Sequence, residues 1–495
     1  MTTRRAFLQS AALAAPALLG NVAALPRPKP SNRISLAMIG CGYQAVYGNL
    51  NAFLLDPRVQ VTMACDPILR APGYGYHVEK EAGRAVLKEK VDAFYGNHDC
   101  RMERDWRKVV DDPTIDAVAV LTPDHWHALV GIAAMRKGKH VYGQKPLALG
   151  ISEGQAMARV ARETGVVFQV GSQQRSASEF RVACEIVRNG YLGELKGCEI
   201  KVETNRGGCW GHAFNRERRT APSYFEPGMW DLWQGPARHW ENNAFIPGIH
   251  EPMVWRFNSR TGNGMLADWG AHHFDILQWA LGKDDSGPVA VENMTTNLPE
   301  DDEVFDFADV FDLDFVYANG LRCHVSNGHM KDPVFGFHNG VLFHGTEGDL
   351  LVRRGVIKLP PKLKKWREKT DLKDSDVHLH KSRGSHESDF IDGICLGTPV
   401  AAPCAVGHRS STLCHLANIC ERLRIKGLKW DPVAERVVGN EAAQRLTVVP
   451  TTTAGRSAKP QTLQRSRVRR SCRGALRPRG SFPARRRTCG CRPPP

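Results

Sequence analysis

The sequence predicts an α/β protein, with an N-terminal doubly wound parallel sheet and a C-terminal α/β domain built on a largely antiparallel or mixed open sheet. Three observations carry this. From residue 33 to about 170, short apolar runs alternate with helical stretches of crossover length, the rhythm of parallel strands. The first run ends in Gly40-Cys41-Gly42, a glycine-rich turn set between strand and helix. Beyond Gly171 the strand-like runs crowd together with short turns between them, which favours antiparallel neighbours.

The N-terminal elements follow in order. After the proline-rich linker LPRPKPSN, RISLAMIG is an apolar run of strand length, and a helix is expected over 45–55. VQVTMAC is a second buried strand, ending at Asp66. Residues 67–92 read as a polar, glycine-rich excursion, followed by a short strand at 92–95, a helix in RDWRKVVDD and a strand in IDAVAVLTP. HALVGIAAMRKGK predicts a helix, HVYGQKP a strand, SEGQAMARVARETG a helix and VVFQVG the last parallel strand. In the second domain strands are expected near 195–204, 288–296, 305–316, 320–328 and 340–353, and closing helices over 386–397 and 407–425. The divisions read from the sequence are 1–32 (leader and linker), 33–170, 171–446 and 447–495 (tail).

A formal charge of +15 suggests a nucleic-acid partner until the charges are located. Twelve arginines and one lysine lie in 456–495, and Arg4, Arg5, Arg27 and Lys29 lie in the leader, with no acid in either stretch. That leaves 50 of the 67 basic residues against all 52 acidic ones. The body is nearly neutral, so no nucleic-acid partner is expected. TRRAFLQ and the Ala/Leu run to Leu19 resemble a twin-arginine signal, with Val22-Ala23-Ala24 as a small-residue cleavage site. The run is too short and alanine-rich to span a bilayer, so export to the periplasm or cell envelope is expected, with no membrane span in the mature chain. The Arg/Pro-rich tail has too few apolar residues for a core and reads as a disordered basic arm or a degenerate end. The fourteen cysteines form no CxxC pair and no zinc spacing, so no metal is expected; Cys41, Cys65, Cys323 and Cys395 sit in apolar runs as inert core thiols.

Gly40-Cys41-Gly42-Tyr43-Gln44-Ala45 fits G-x-G-x-x-G/A, the fingerprint of a dinucleotide-binding Rossmann turn. The glycines permit a tight turn and close approach to a pyrophosphate, small Ala45 packs helix on strand, and the helix N-terminus faces the phosphate charge. Asp66, 21 residues beyond Ala45, stands where a carboxylate accepts from ribose hydroxyls. It favours NAD because it would repel a 2′-phosphate, whereas Arg70 nearby keeps NADP open. Thr122, Pro123 and His127 in LTPDHWH, and Gln144 and Lys145 in GQKP, follow the fourth and fifth strands at their carboxyl ends, where such sheets bind ligands. The H-x-H spacing of His125 and His127 fits a helix start better than a metal site. In GNGMLADWGAHHFDILQWALG, Asp268 and His272 are one turn apart. On spacing alone they are either a catalytic dyad or a capped helix end with a satisfied histidine; His273 points elsewhere.

These stretches, together with QVGSQQRS, WDLWQGPA, FHGTEGDL, GHRSSTLCHLANICERL and KWDPVAE, run in order over residues 33–446 and resemble the Gfo/Idh/MocA oxidoreductases. The resemblance implies a nicotinamide cofactor, a sugar, cyclitol or glycoside oxidised at a secondary hydroxyl, and a homo-oligomer formed through the C-terminal sheet. It implies that Lys145, matching the lysine of an E-K-P motif, lies beside the nicotinamide. Asp268, His272 and Asp275 match D-x-G-x-H-x-x-D, whose histidine is the acid/base; Asp268 would orient His272. Gln144 departs from the glutamate of E-K-P, and carries no charge. Two other readings remain: redox-neutral elimination, hydrolysis or epimerisation on tightly held NAD, and a non-catalytic exported sugar-binding protein.

Overall fold

The first strand, β1 (Ile34–Ile39), is almost wholly buried, as a strand covered on both faces by helices must be. The computed structural model describes residues 32–72, 80–202, 228–237, 255–298, 306–308, 310–327, 339–367 and 372–449; the twin-arginine stretch and the tail beyond Val449 lie outside them. β1 pairs in parallel with β2 (Val59–Cys65) on one side. β3 (Arg101–Glu103), β4 (Ala117–Val120), β5 (His140–Gly143) and β6 (Phe168–Val170) complete a six-stranded parallel sheet in the order β3–β2–β1–β4–β5–β6. The chain enters at the centre and winds outward in both directions. The reversal lies between β1 and β4, and the crevice outside their carboxyl ends is where such sheets bind ligands.

One expectation fails here. Residues 92–95 end the helix Arg84–Tyr95 instead of forming a strand, and the edge strand is Arg101–Glu103. Asp92 explains the helix: its carboxylate takes Lys88 Nζ at 2.6 Å one turn earlier and the Cys100 amide at 3.2 Å. The edge strand carries no apolar run: Arg101 and Glu103 are charged and Met102 is exposed.

The second sheet contains β7 (Leu195–Lys201), β8 (Ala290–Thr296), β9 (Phe311–Val316), β10 (Arg322–Ser326), β11 (Gly340–Gly345), β12 (Gly348–Arg353), β13 (Val356–Lys358), β14 (Leu428–Asp431) and β15 (Arg436–Val438). Their order is β13–β12–β11–β7–β10–β9–β8–β14–β15, and every neighbouring pair is antiparallel except β7–β10. The sheet is therefore mixed and mostly antiparallel. Alternation along β9 explains its two faces. Phe311, Leu313 and Phe315 are buried, whereas Asp312 and Asp314 point the other way. The apolar face packs on the helices Ser178–Arg188, Gly270–Leu281 and Cys404–Leu423. The opposite face is polar: His324 lies 3.2 Å from Asp312 and 3.1 Å from Asp314, and His344 lies 3.1 Å from both Glu199 and Asp349.

The ten described cysteines are all free and buried, and burial raises the pKa of thiols such as Cys41, Cys65 and Cys323. Among the described residues no helix is long and apolar enough to cross a membrane, and no cluster of His, Cys, Asp and Glu could hold a metal.

Candidate active site

The glycine-rich turn leaves β1 through Gly40, at φ +88°. A Cβ there would lie 2.6 Å from the Leu121 carbonyl carbon, so only glycine permits both this backbone and the approach of the loop after β4. Asp66, at the end of β2, accepts from the Cys41 amide at 2.6 Å and the Ile68 amide at 2.8 Å. Its carboxylate thus braces the turn while lining the cleft. Arg70 is held by Glu81 at 2.6 Å and by Glu89, and is not among the cleft residues. With the arginine engaged elsewhere, Asp66→Ala should weaken NAD binding and narrow the preference over NADP in binding titrations; wild-type protein preferring NADP would defeat that assignment.

A cleft of about 590 Å³ opens at these strand ends. Gly40, Gly42, Tyr43, Gln44, Asp66, Thr122, Pro123, Gln144, Lys145, Asp268 and His272 all line it. Two residues expected to bind cofactor do not line it. Ala45 is fully buried beneath the turn, which is the packing role its size implied. His127 is buried with one ring nitrogen 2.8 Å from the Pro146 carbonyl and the other 2.9 Å from the Thr122 carbonyl. It braces two strand-end turns against each other and does not reach the cleft. His125 is likewise a core group, its ring nitrogens 3.2 and 3.1 Å from the carbonyls of Thr261 and Trp233, and burial pushes its pKa down to about 4.

Lys145 follows β5, and its peptide bond to Pro146 is cis. Its Nζ donates to Asp268 Oδ1 at 2.7 Å and to the Asp268 carbonyl. Arg256 Nε donates to the same Oδ1 at 3.0 Å. Burial alone would raise the Asp268 pKa, but Arg256 and Lys145 outweigh it and hold the carboxyl well below its usual range. This corrects the expected geometry. Asp268 closes the helix Gly264–Asp268, and a second helix, Gly270–Leu281, starts after Trp269. At that break the His272 amide donates to the Trp269 carbonyl at 3.1 Å, freeing the Asp268 carbonyl for Lys145. The aspartate therefore orients the lysine and does not clamp the imidazole.

His272 is buried, lines the cleft, and has no partner at Nδ1 among the described residues. Burial, then the nearby Lys145 and Arg354 cations and His273, push its pKa well below the usual imidazole value, with Asp268 opposing. His273 turns to Asn339, and burial lowers its pKa to about 4. Asp275 belongs to the fold: Arg175 Nε binds it at 2.7 Å and Ser410 Oγ at 2.6 Å, all buried.

Several cleft residues were not singled out by sequence reasoning. Trp233, Trp255 and Trp269 line the wall, with Arg256 over Trp255 at 4.5 Å and Arg354 over Trp269 at 4.6 Å. The tryptophan-rich stretch WDLWQ was a visible signal for one of them. Arg256 and Arg354 arrive from a loop and a strand-end turn, with no local pattern to mark them.

The cleft fits a dinucleotide. Gly40 lets the turn close against the loop after β4, Asp66 is an acceptor at the end of β2, and Thr122 Oγ1 is buried there with no partner among the described residues. Residues 34–172 match the family described as "Oxidoreductase family, NAD-binding Rossmann fold", and residues 178–454 match its "C-terminal alpha/beta domain". Levoglucosan dehydrogenase of Pseudarthrobacter phenanthrenivorans is 27% identical over 180 residues, 36% of either chain. The NAD(+)-dependent scyllo-inositol 2-dehydrogenase of Bacillus subtilis is 28% identical over 33% of this chain and 42% of its own. The 1,5-anhydro-D-fructose reductase of Ensifer adhaerens is 37% identical over 51% of this chain and 61% of its own. The matches thus span between about a third and three fifths of these relatives' length. Among solved structures, levoglucosan dehydrogenase with NADH and L-sorbose superposes with a TM-score of 0.53 at 18% identity, over 80% of this chain and 98% of that one. The WlbA dehydrogenase of Bordetella pertussis, solved with NADH and UDP-GlcNAcA, gives 0.53 at 14% identity, over 81% and 99%. At such identities these two show a shared fold.

Proposed function

The chain belongs to the Gfo/Idh/MocA oxidoreductase family, with an NAD-binding Rossmann domain, and from that premise we propose that it oxidises a secondary hydroxyl of a sugar, cyclitol or glycoside. The observation that carries the proposal is Lys145 Nζ, held on Asp268 beside His272 in the cleft at the strand ends. Bound nicotinamide supplies the hydride acceptor. His272, neutral at physiological pH, takes the hydroxyl proton on its imidazole. Lys145 stabilises negative charge growing on the substrate oxygen, and Asp268 and Arg256 fix the lysine's position. The tryptophan walls exclude water and offer flat apolar faces to a sugar ring. Relatives named for levoglucosan and scyllo-inositol support a carbohydrate-like substrate.

The leader fits twin-arginine export, which would carry a folded, cofactor-loaded enzyme to the periplasm or envelope. The polar open face of the second sheet is the surface through which a homo-oligomer would form. A screen of sugars and cyclitols with purified protein and NAD, read at the nicotinamide absorbance, tests the main proposal. A substrate-dependent rise in NADH is expected. Product formed with no net NADH would replace dehydrogenation by a redox-neutral reaction, and sugar binding without either would leave a binding protein.

A further inference from the structure

Gln144 stands where the family motif has a carboxylate, and the fold places a carboxylate two residues away through hydrogen bonds. Glu387, in the first turn of the helix His386–Leu396, is buried against the sheet. Its Oε1 accepts from Asn49 Nδ2 at 2.7 Å and from the Tyr142 hydroxyl at 3.2 Å. Asn49 is fully buried. Its other end, Oδ1, accepts from Gln144 Nε2 at 3.3 Å and from Gln44 Nε2 at 3.1 Å. Gln144 Oε1 in turn accepts from the Lys145 amide at 3.2 Å.

An amide has a donor end and an acceptor end, whereas a carboxylate only accepts. With Glu387 at one end, Asn49 must present Nδ2 to it, so Oδ1 faces Gln144. Gln144 must then present Nε2 to Asn49, leaving Oε1 as its acceptor at the cleft. That oxygen keeps a second lone pair beyond the bond from Lys145. Gly48 contributes by its size: a Cβ there would lie 2.5 Å from Gln44 Nε2, so the missing side chain lets Gln44 fold back onto Asn49.

We infer that Glu387 is a positioning residue for the cofactor, setting through Asn49 the amide orientation that makes Gln144 an acceptor for a cofactor hydroxyl, as the glutamate of E-K-P would be. The relay moves the charge away from the cleft but keeps its polarity there. This rests on the reading of the cleft as the NAD site.

The test is a double-mutant cycle between Glu387→Gln and Gln144→Glu, read by NAD titration and by melting temperature. Glu387→Gln removes the fixed polarity and should weaken NAD binding about three- to tenfold, the worth of one hydrogen bond. Gln144→Glu alone should weaken binding and lower the melting temperature, because two carboxylates then compete for the one donor end of Asn49. The double variant should recover much of both losses, since Asn49 can reverse, donating to residue 144 and accepting from residue 387. If the two changes instead add independently, or if Gln144→Glu alone leaves binding and melting temperature as in wild type, the relay is overturned. The latter measurement decides the matter even if Glu387→Gln fails to fold. Wild-type protein that does not bind NAD would overturn the reading of the cleft, while coupling in melting temperature would still report the relay.

Discussion

Lys145→Ala is expected to lower turnover at saturating NAD by about 10²–10³-fold, the usual cost of removing one preorganised charge-stabilising donor. The geometry gives the reason. Lys145 Nζ is tied to Asp268 at 2.7 Å and is mostly buried, so its charge is fixed before substrate arrives. Alanine leaves Asp268 with Arg256 at 3.0 Å, so the aspartate stays paired and the fold should survive. A second readout separates this role from packing. Lys145 is one of the cations that depress the His272 pKa. Without it, that pKa should rise towards the ordinary imidazole value of about 6.5, and the acid limb of kcat/KM should move to higher pH. A variant with unchanged turnover per NAD-loaded molecule, or with an unmoved acid limb, would remove Lys145 from the chemistry.

The parallel domain was legible because its signals are local. β1 and β4 are short apolar runs, and Gly40 and Gly42 mark the turn that a buried strand must make into its helix. Strand Arg101–Glu103 lacked any such signal because an edge strand needs no apolar run. The site was legible at strand ends and in the Asp268/His272 stretch. Lys145 and Asp66 could be placed from the ends of β5 and β2, but their partners could not be foreseen. Asp268 meets Lys145 across 123 residues of sequence, and Asn49 meets Glu387 across 338. Such pairings are set by how the two domains pack. The helical spacing of Asp268 and His272 was misleading for a related reason: the break at Trp269 releases a carbonyl, and a lysine from the other domain takes it.

His272→Ala is expected to reduce turnover by about 10²–10⁴-fold, the range for a positioned general base. His272 lines the cleft with Nδ1 free of any partner among the described residues, whereas His273, whose Nδ1 is also unpartnered, is outside the cleft lining. The pH dependence of His272 follows from its burial. The folded-state pKa lies well below the unfolded value, so the neutral ring contributes stability above the unfolded pKa of about 6.5, and that contribution is lost as pH falls through the folded value. The wild-type enzyme should therefore keep its activity below pH 6.5, where an ordinary histidine would already be protonated. His272→Ala should soften the acid-induced fall in melting temperature while abolishing most turnover. His273→Ala provides the control, since that ring is committed to Asn339 and should cost much less activity. Combining His272→Ala with Lys145→Ala should give less than the product of the two losses, because base and charge stabiliser serve one step. If instead His272→Ala lowers melting temperature and activity together, with wild-type turnover per folded, NAD-loaded molecule, the histidine is a core residue and the proton acceptor must be sought elsewhere in the cleft.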